Sequence, residues 1–287
     1  MIEWSVGRMR IRTMASDDID FALTLTNTER WSSTKRDFEE LLEYDPHGCF
    51  VGEIESKPMG MVCAVSYGKF GFIGNLIVLE SCRGQQWGKT LMEYGMHYLS
   101  TCGVKSILLD AVPKALSLYE RLGFRKICKS LRLEGTISGK ISEHVRNMKQ
   151  EDLVQISDID ATLFGGRRSR FLSMRFSAYP EYCKVLVADA GVQGYIMGST
   201  TANSVRIGPW AMKEPDTSAE HLLLSFGKDT TGEILKIGVL ERNSRALDLL
   251  YKYGFKAKSF SWRMVYGEDT EATQSNSLYA ICSPARG

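Results

Sequence analysis

The residues best placed for chemistry in this 287-residue chain form one stretch, Phe72-Ile73-Gly74-Asn75-Leu76-Ile77-Val78 followed by Cys82-Arg83-Gly84-Gln85-Gln86-Trp87-Gly88-Lys89-Thr90-Leu91. The first part is an apolar, β-rich run; the second is a polar, Gly-bearing turn that opens onto a helix. Such a turn presents unpaired backbone N–H groups with the positive end of a helix dipole behind them, which suits a phosphate or diphosphate. Arg83 and Lys89 add positive charge. The same pattern also describes an ordinary strand-to-helix turn with a charged tip, and these residues alone leave both readings open. His47, His97, His144 and His221 are dispersed, with no Ser or Cys at a recognisable catalytic spacing, so they read as surface or packing residues. Cys82 reads as a small packing residue beside the turn. The seven cysteines include no C-x-x-C pair and no His at zinc spacing, so no metal site is expected.

The elements that must carry this stretch occur twice. Arg12-Thr13-Met14 with Asp17-Asp18-Ile19 returns as Arg146-Asn147-Met148 with Glu151-Asp152-Leu153, 134 residues on from Arg12 to Arg146. Residues 115–124, ALSLYERLGF, return as 246–255, ALDLLYKYGF, 131 residues on from Ala115 to Ala246. Two copies of one fold are therefore expected. In the first copy, residues 9–14 alternate like a strand, Ser16 and Asp17 offer an N-cap for a helix running towards Trp31, and residues 34–44 form a second helix. A hairpin over residues 50–62 precedes the strand at 70–79, the turn, and an amphipathic helix to about Cys102. A buried strand at 107–112, a helix at 114–122 stopped by Gly123, and a returning strand at 124–133 complete the α/β alternation. Residues 135–140 break both periodicities, and residues 278–282 read as a last short strand. The expected division is residues 1–137 and 138–287.

With these residues in place, the chain resembles the GCN5-related N-acetyltransferase (GNAT) superfamily. The pattern R-x-x-G-x-G/A after an apolar strand, followed by A-x-x-x-Y-x-x-x-G-F, is matched by Arg83, Gly88, Ala115, Tyr119, Gly123 and Phe124. Phe70-Gly71-Phe72-Ile73-Gly74 and Leu109-Asp110-Ala111-Val112 are further similar to a YitH-like subgroup of two-lobed acetyltransferases. The resemblance implies tandem α/β lobes, each a mixed, mainly antiparallel twisted sheet covered by helices. It implies acetyl-CoA as co-substrate, its pantetheine beside Leu76, Ile77 and Val78 and its diphosphate on the main chain of Arg83, Gly84, Gln85, Gln86, Trp87, Gly88 and Lys89. Gln86 stands where the family has glycine; a left-handed backbone there costs a non-glycine residue about 1–2 kcal/mol.

An amine of pKa near 10.4 is neutral in about one molecule in 2,500 at pH 7, so supplying the nucleophile costs about 4.6 kcal/mol unless the site takes the proton or depresses the pKa. By the resemblance, Asp110 is the candidate base, with capping of the following turn as its structural role; Glu80 is a second, solvent-facing candidate. Tyr119 is the candidate acid for the departing thiolate, and the Val78 N–H the polarising donor on the thioester oxygen. In the second copy Leu250 stands at the position of Tyr119, Tyr251 follows one residue later, and residues 212–218 bring two carboxylates and no glycine. That copy is expected to have lost cofactor chemistry and to shape the acceptor site or stabilise the first.

Composition narrows the class without naming the acceptor. Hydrophobic residues at 44% and charged residues at 24% describe an ordinary globular protein. Thirty-six basic against thirty-four acidic side chains leave a net charge of +2, too small to argue for nucleic acid. Scattered cysteines, no secretory pattern over residues 1–10 and no apolar run of about 20 residues lead to an expected cytoplasmic protein without a membrane partner. Arg167, Arg168 and Arg170, or Glu39, Glu40, Glu43 and Asp45, are charged clusters suited either to an acceptor or to a solvated surface. The expected activity is direct acetyl transfer to an amine, small-molecule or protein. The alternatives are a non-catalytic acyl-CoA-binding regulatory protein and a transferase for another acyl group.

Overall fold

The computed structural model of the protein describes residues 4–6, 9–214, 218–268 and 275–287. Packing separates two compact units, residues 1–109 with Arg286, and residues 110–285 with Gly287. The first contains β1 (Trp4–Val6), β2 (Met9–Thr13), α1 (Ile19–Thr28), α2 (Lys35–Tyr44), β3 (Cys49–Ile54), β4 (Lys57–Ser66), β5 (Phe70–Val78), α3 (Trp87–Thr101) and most of β6 (Ser106–Ala111). Neighbouring strands β1 to β5 pair antiparallel in chain order, and β5 pairs parallel with β6 from Phe70↔Ser106 to Ile73↔Leu109. The crossover needed by this parallel pair is α3. Met9, Ile11, Phe38, Phe70, Phe72, Leu91 and Leu99 are buried in the unit's core.

The second unit contains α4 (Leu116–Arg121), β7 (Arg125–Gly135), β8 (Val145–Asn147), α5 (Asp152–Phe164), α6 (Ser169–Ala178), β9 (Cys183–Ala188), β10 (Gly191–Thr201), β11 (Ser204–Met212), α7 (Ala219–Asp229), β12 (Leu235–Leu240), α8 (Ser244–Lys252), β13 (Lys256–Gly267) and β14 (Leu278–Ala280). Its strands run β13-β7-β12-β11-β10-β9-β8, with β14 on β11. Among the described residues of this unit, the pairing of β11 with β12 is parallel and those of the other neighbouring strands are antiparallel. Each unit is thus a mixed, mainly antiparallel sheet with helices. The packing boundary differs from the break at residues 135–140 because β7 pairs with both β12 and β13. Residues 110–135 belong to the first copy by sequence repeat and to the second unit by packing.

The repeat is visible atom by atom. Arg12 Nη1 and Nη2 donate to the Asp18 carboxylate at 2.6 and 2.8 Å, while Ala15 N–H donates to the same group at 2.8 Å. Arg146 and Asp152 repeat the fork at 2.6 and 2.8 Å, with Lys149 N–H at 2.7 Å. Asp18, rather than Ser16 or Asp17, therefore closes the turn before α1, which begins at Ile19. The forked hydrogen bond from Arg12 holds Asp18 below the usual carboxylate range against the opposing effect of burial, and Arg146 does the same for Asp152. A carboxylate more acidic in the folded state lends stability above its ordinary pKa of about 3.9 and loses it as pH falls through the folded value. Asp18→Asn and Asp152→Asn are each expected to lose about 1–3 kcal/mol at pH 7 in chemical denaturation. The gap from the parent should close in titrations below about pH 4.

Among the described residues, no helix is long and apolar enough to cross a membrane.

Candidate active site

In β5 the apolar run is interrupted by Asn75, which takes a left-handed conformation with φ 52°. The β4–β5 register slips there, between Met61↔Ile77 and Cys63↔Gly74, so β5 carries a bulge. The β5–β6 ladder ends at Ile73↔Leu109, while β5 continues through Leu76, Ile77 and Val78. Ile77 and Val78 remain paired on the β4 side. No register with β6 is made by residues 74–78 among the described residues, and that edge is the one an extended ligand can pair with. An Asn preceded by Gly inside an apolar strand is the sequence signal for such a bulge, one that the spacing argument passed over.

After β5 the chain makes a short turn and enters the loop at Arg83. Arg83 Nε donates to the Val78 carbonyl at 3.1 Å and Nη2 to Glu29 Oε1 at 2.7 Å. Gly84 has φ 82° and Gln86 has φ 63°, so the backbone is left-handed at the position where the resemblance places glycine, with Gln in it. Gln86 is the residue before α3, and the first bond into the helix is Thr90 N–H to the Gln86 carbonyl at 3.1 Å. The main-chain N–H groups of residues 84–89 donate to no acceptor among the described residues. These six donors lie at the N-terminal end of a 15-residue helix, an arrangement whose chemistry suits an anion. Lys89 is engaged by Glu93 at 3.1 Å on the exposed side of α3. Arg83 thus ties the loop to β5 and α1, a use of its charge that the sequence did not disclose. The Trp87 indole N–H is also buried without an acceptor.

Tyr119 lies in α4, 8% exposed, with its ring 6.1 Å from that of Phe124 in an edge-on contact. Its hydroxyl makes no hydrogen bond among the described residues, and burial pushes its pKa up to about 12. It is therefore a protonated donor at neutral pH. Glu80, in the turn after β5, is exposed, as expected.

Asp110 requires a correction. Its side chain is completely buried and receives Arg263 Nε at 2.5 Å, Arg263 Nη2 at 3.4 Å and Arg132 Nη2 at 3.0 Å. Burial by itself would raise its pKa, but the charges of Arg263 and Arg132 outweigh that effect and hold it below the usual carboxylate range. A carboxylate committed to two guanidiniums is a poor proton acceptor, so the base role expected for Asp110 does not fit its surroundings. Arg132 also donates to Ser130 Oγ at 2.8 Å and Ser261 Oγ at 2.9 Å, which joins the end of β6 to β7 and β13.

The corresponding parallel pair of the second unit is covered differently. The β11–β12 ladder stops at Ile207↔Ile237, and beyond it β14 pairs with β11 through Trp210↔Ala280 and Ala211↔Leu278. Ile281 N–H then bonds the Gly238 carbonyl of β12 at 2.9 Å. A Cβ at Gly208 would meet the Ile281 carbonyl at 2.1 Å, so this segment fills the opening. Asn243 Nδ2 holds it through the Asn276 and Leu278 carbonyls at 3.0 and 2.9 Å, and Tyr279 packs on Trp210 with ring centroids 4.9 Å apart. Leu250 is buried and Tyr251 is 47% exposed, as the one-residue shift requires. Of the acidic turn at 212–218, residues 215–217 lie outside the described residues. Three residues of the charged clusters are engaged within the fold. Arg168 is buried on Asp160 at 2.8 Å, Glu40 on Arg286 at 2.8 Å, and Asp45 accepts the Tyr98 hydroxyl at 2.6 Å. No group of three metal-ligating side chains occurs among the described residues.

Both halves of the chain match known protein families. Residues 18–124 match the model described as "Acetyltransferase (GNAT) family", and residues 156–280 match "Acetyltransferase (GNAT) domain". The holothin acyltransferase of Pseudoalteromonas sp. (strain SANK 73390) is 21% identical over 89% of this chain and 86% of that protein. The uncharacterized N-acetyltransferase YitH of Bacillus subtilis (strain 168) is 26% identical over 63% of this chain and 65% of that protein. A crystal structure described as a candidate acetyltransferase from Pyrococcus horikoshii superposes with TM-score 0.84 at 24% identity, covering 99% of this chain and 98% of that one.

Proposed function

We propose, for a chain that belongs to the GNAT superfamily through both of its halves, that it transfers an acetyl group from acetyl-CoA directly to an amine, with the chemistry confined to the first copy. The observation that carries this reading is the run of six unclaimed main-chain donors at residues 84–89. These donors fit a diphosphate, and the free edge of β5 at Leu76, Ile77 and Val78 fits an extended amide-bearing chain.

In this reading the Val78 N–H polarises the thioester oxygen as the amine nitrogen bonds to the carbonyl carbon. The carbon–sulfur bond then breaks, and Tyr119 gives its proton to the sulfur. The proton lost by the amine is assigned to solvent water, since Asp110 is held by its arginines. The acceptor is an amine of a small molecule or a protein. The cytoplasmic setting is supported by seven cysteines that are all free thiols.

Gln86→Asp tests the reading without threatening the fold. Aspartate tolerates a left-handed backbone and is favoured before a helix, so thermal stability should hold or rise. Its carboxylate would occupy the same amides and repel a diphosphate, raising the Kd for coenzyme A in calorimetry by about thirtyfold. Unchanged affinity would count against the loop. A longer acyl group is the second reading, favoured by the relative named for acyl rather than acetyl transfer. Competition among acyl-CoA chain lengths distinguishes the two.

A further inference from the structure

The end of α1 is unusually well fixed. Arg30 takes a left-handed conformation with φ 57°, its N–H donates to the Asn27 carbonyl at 2.9 Å, and the Trp31 N–H reaches back to the Thr26 carbonyl at 2.9 Å. These paired bonds close the helix in the manner usually completed by glycine and hold Glu29 between them. Glu29, with its side chain 11% exposed, then receives Arg83 Nη2 at 2.7 Å. Arg83 Nε in turn grips the Val78 carbonyl at 3.1 Å. A locked helix end thus holds a carboxylate, the carboxylate holds a guanidinium, and the guanidinium holds the last residue of β5 at the entry to the loop.

We propose that Glu29 is a positioning residue for the diphosphate of the acyl carrier, acting through Arg83. The inference rests on the reading of residues 84–89 as the diphosphate cradle. A carboxylate beside an anion site has two opposing effects: it repels the ligand, and it orders the groups that bind the ligand. Here ordering wins, because the carboxylate is spent directly on a charge-assisted bond to Arg83, which partly cancels its field. The same bond removes rotamer freedom from a long side chain before any ligand arrives. Two of the five guanidinium N–H groups are used in these contacts, and those that remain carry charge at the first residue of the loop.

The test is calorimetry on the full chain with two probes, coenzyme A and pantetheine, which lacks the diphosphate. Glu29→Gln is expected to raise the Kd for coenzyme A about tenfold, leave that for pantetheine unchanged and leave the melting temperature unchanged. In an Arg83→Gln background the same change should have no further effect, because its route is gone. Equal or tighter coenzyme A binding by Glu29→Gln would overturn the proposal, and so would an equal loss for both probes. If the parent chain bound no coenzyme A, the cradle reading itself would fall and take this inference with it. Parent binding with an unaltered variant removes the role of Glu29 alone.

Discussion

Tyr119→Phe is expected to lower kcat by about 10²–10³-fold while leaving the affinity for acetyl-CoA unchanged. The hydroxyl is the only atom removed, and it makes no hydrogen bond among the described residues, so the folded state loses no partner for it. Because the hydroxyl has no protein partner to leave unsatisfied, its removal should keep stability within about 1 kcal/mol of the parent. An inactive variant that is as stable as its parent would therefore locate the defect in proton delivery and not in folding. With a pKa of about 12, Tyr119 stays protonated through the accessible range, so the parent should show no decline in kcat from this group between pH 7 and 10. Steady-state kinetics with measured coenzyme A release checks both statements. A phenylalanine variant that turns over at the parent rate would remove the acid assignment while leaving the family intact.

Asp110→Asn is expected to act on stability. Asp110 neutralises charge for Arg263 and Arg132 in a site where its own side chain is fully buried and that of Arg263 is 2% exposed. Removing the anion leaves guanidinium charge buried beside a neutral amide, a change that costs about 3–5 kcal/mol. Urea or thermal denaturation should register that loss, whereas turnover per folded molecule and its pH dependence should follow the parent. The opposite pattern, parent stability with a lost or displaced acidic limb in the rate profile, would return Asp110 to the role of base.

What the sequence made legible is what depends on neighbours along the chain. The loop at residues 83–89 was readable because its amides are freed by local backbone geometry, and Gln86 adopts the left-handed conformation expected of the position it fills. The tandem organisation was readable because Arg12 with Asp18 and Arg146 with Asp152 close within six residues. The arginine partners of Asp110 were not legible because they stand 22 and 153 residues away, and no spacing rule reaches across strands that distant. The missing glycines and displaced tyrosine of the second copy were readable locally, but the pairing of β14 with β11 was not, because it depends on the chain returning from far along its length. The division at residues 135–140 marked the repeat, while β7 placed residues 110–135 in the second unit through pairings visible only in the folded sheet.

Backbone amide NMR observes the main-chain donors one by one. Titrating coenzyme A into the isotopically labelled full chain should move the amide resonances of Gly84, Gln85, Gln86, Trp87, Gly88 and Lys89 downfield together and slow their exchange with solvent, as new hydrogen bonds to an anion require. Saturable binding that leaves these six resonances unmoved, with the changes gathered around β11 and β12 instead, would contradict the account.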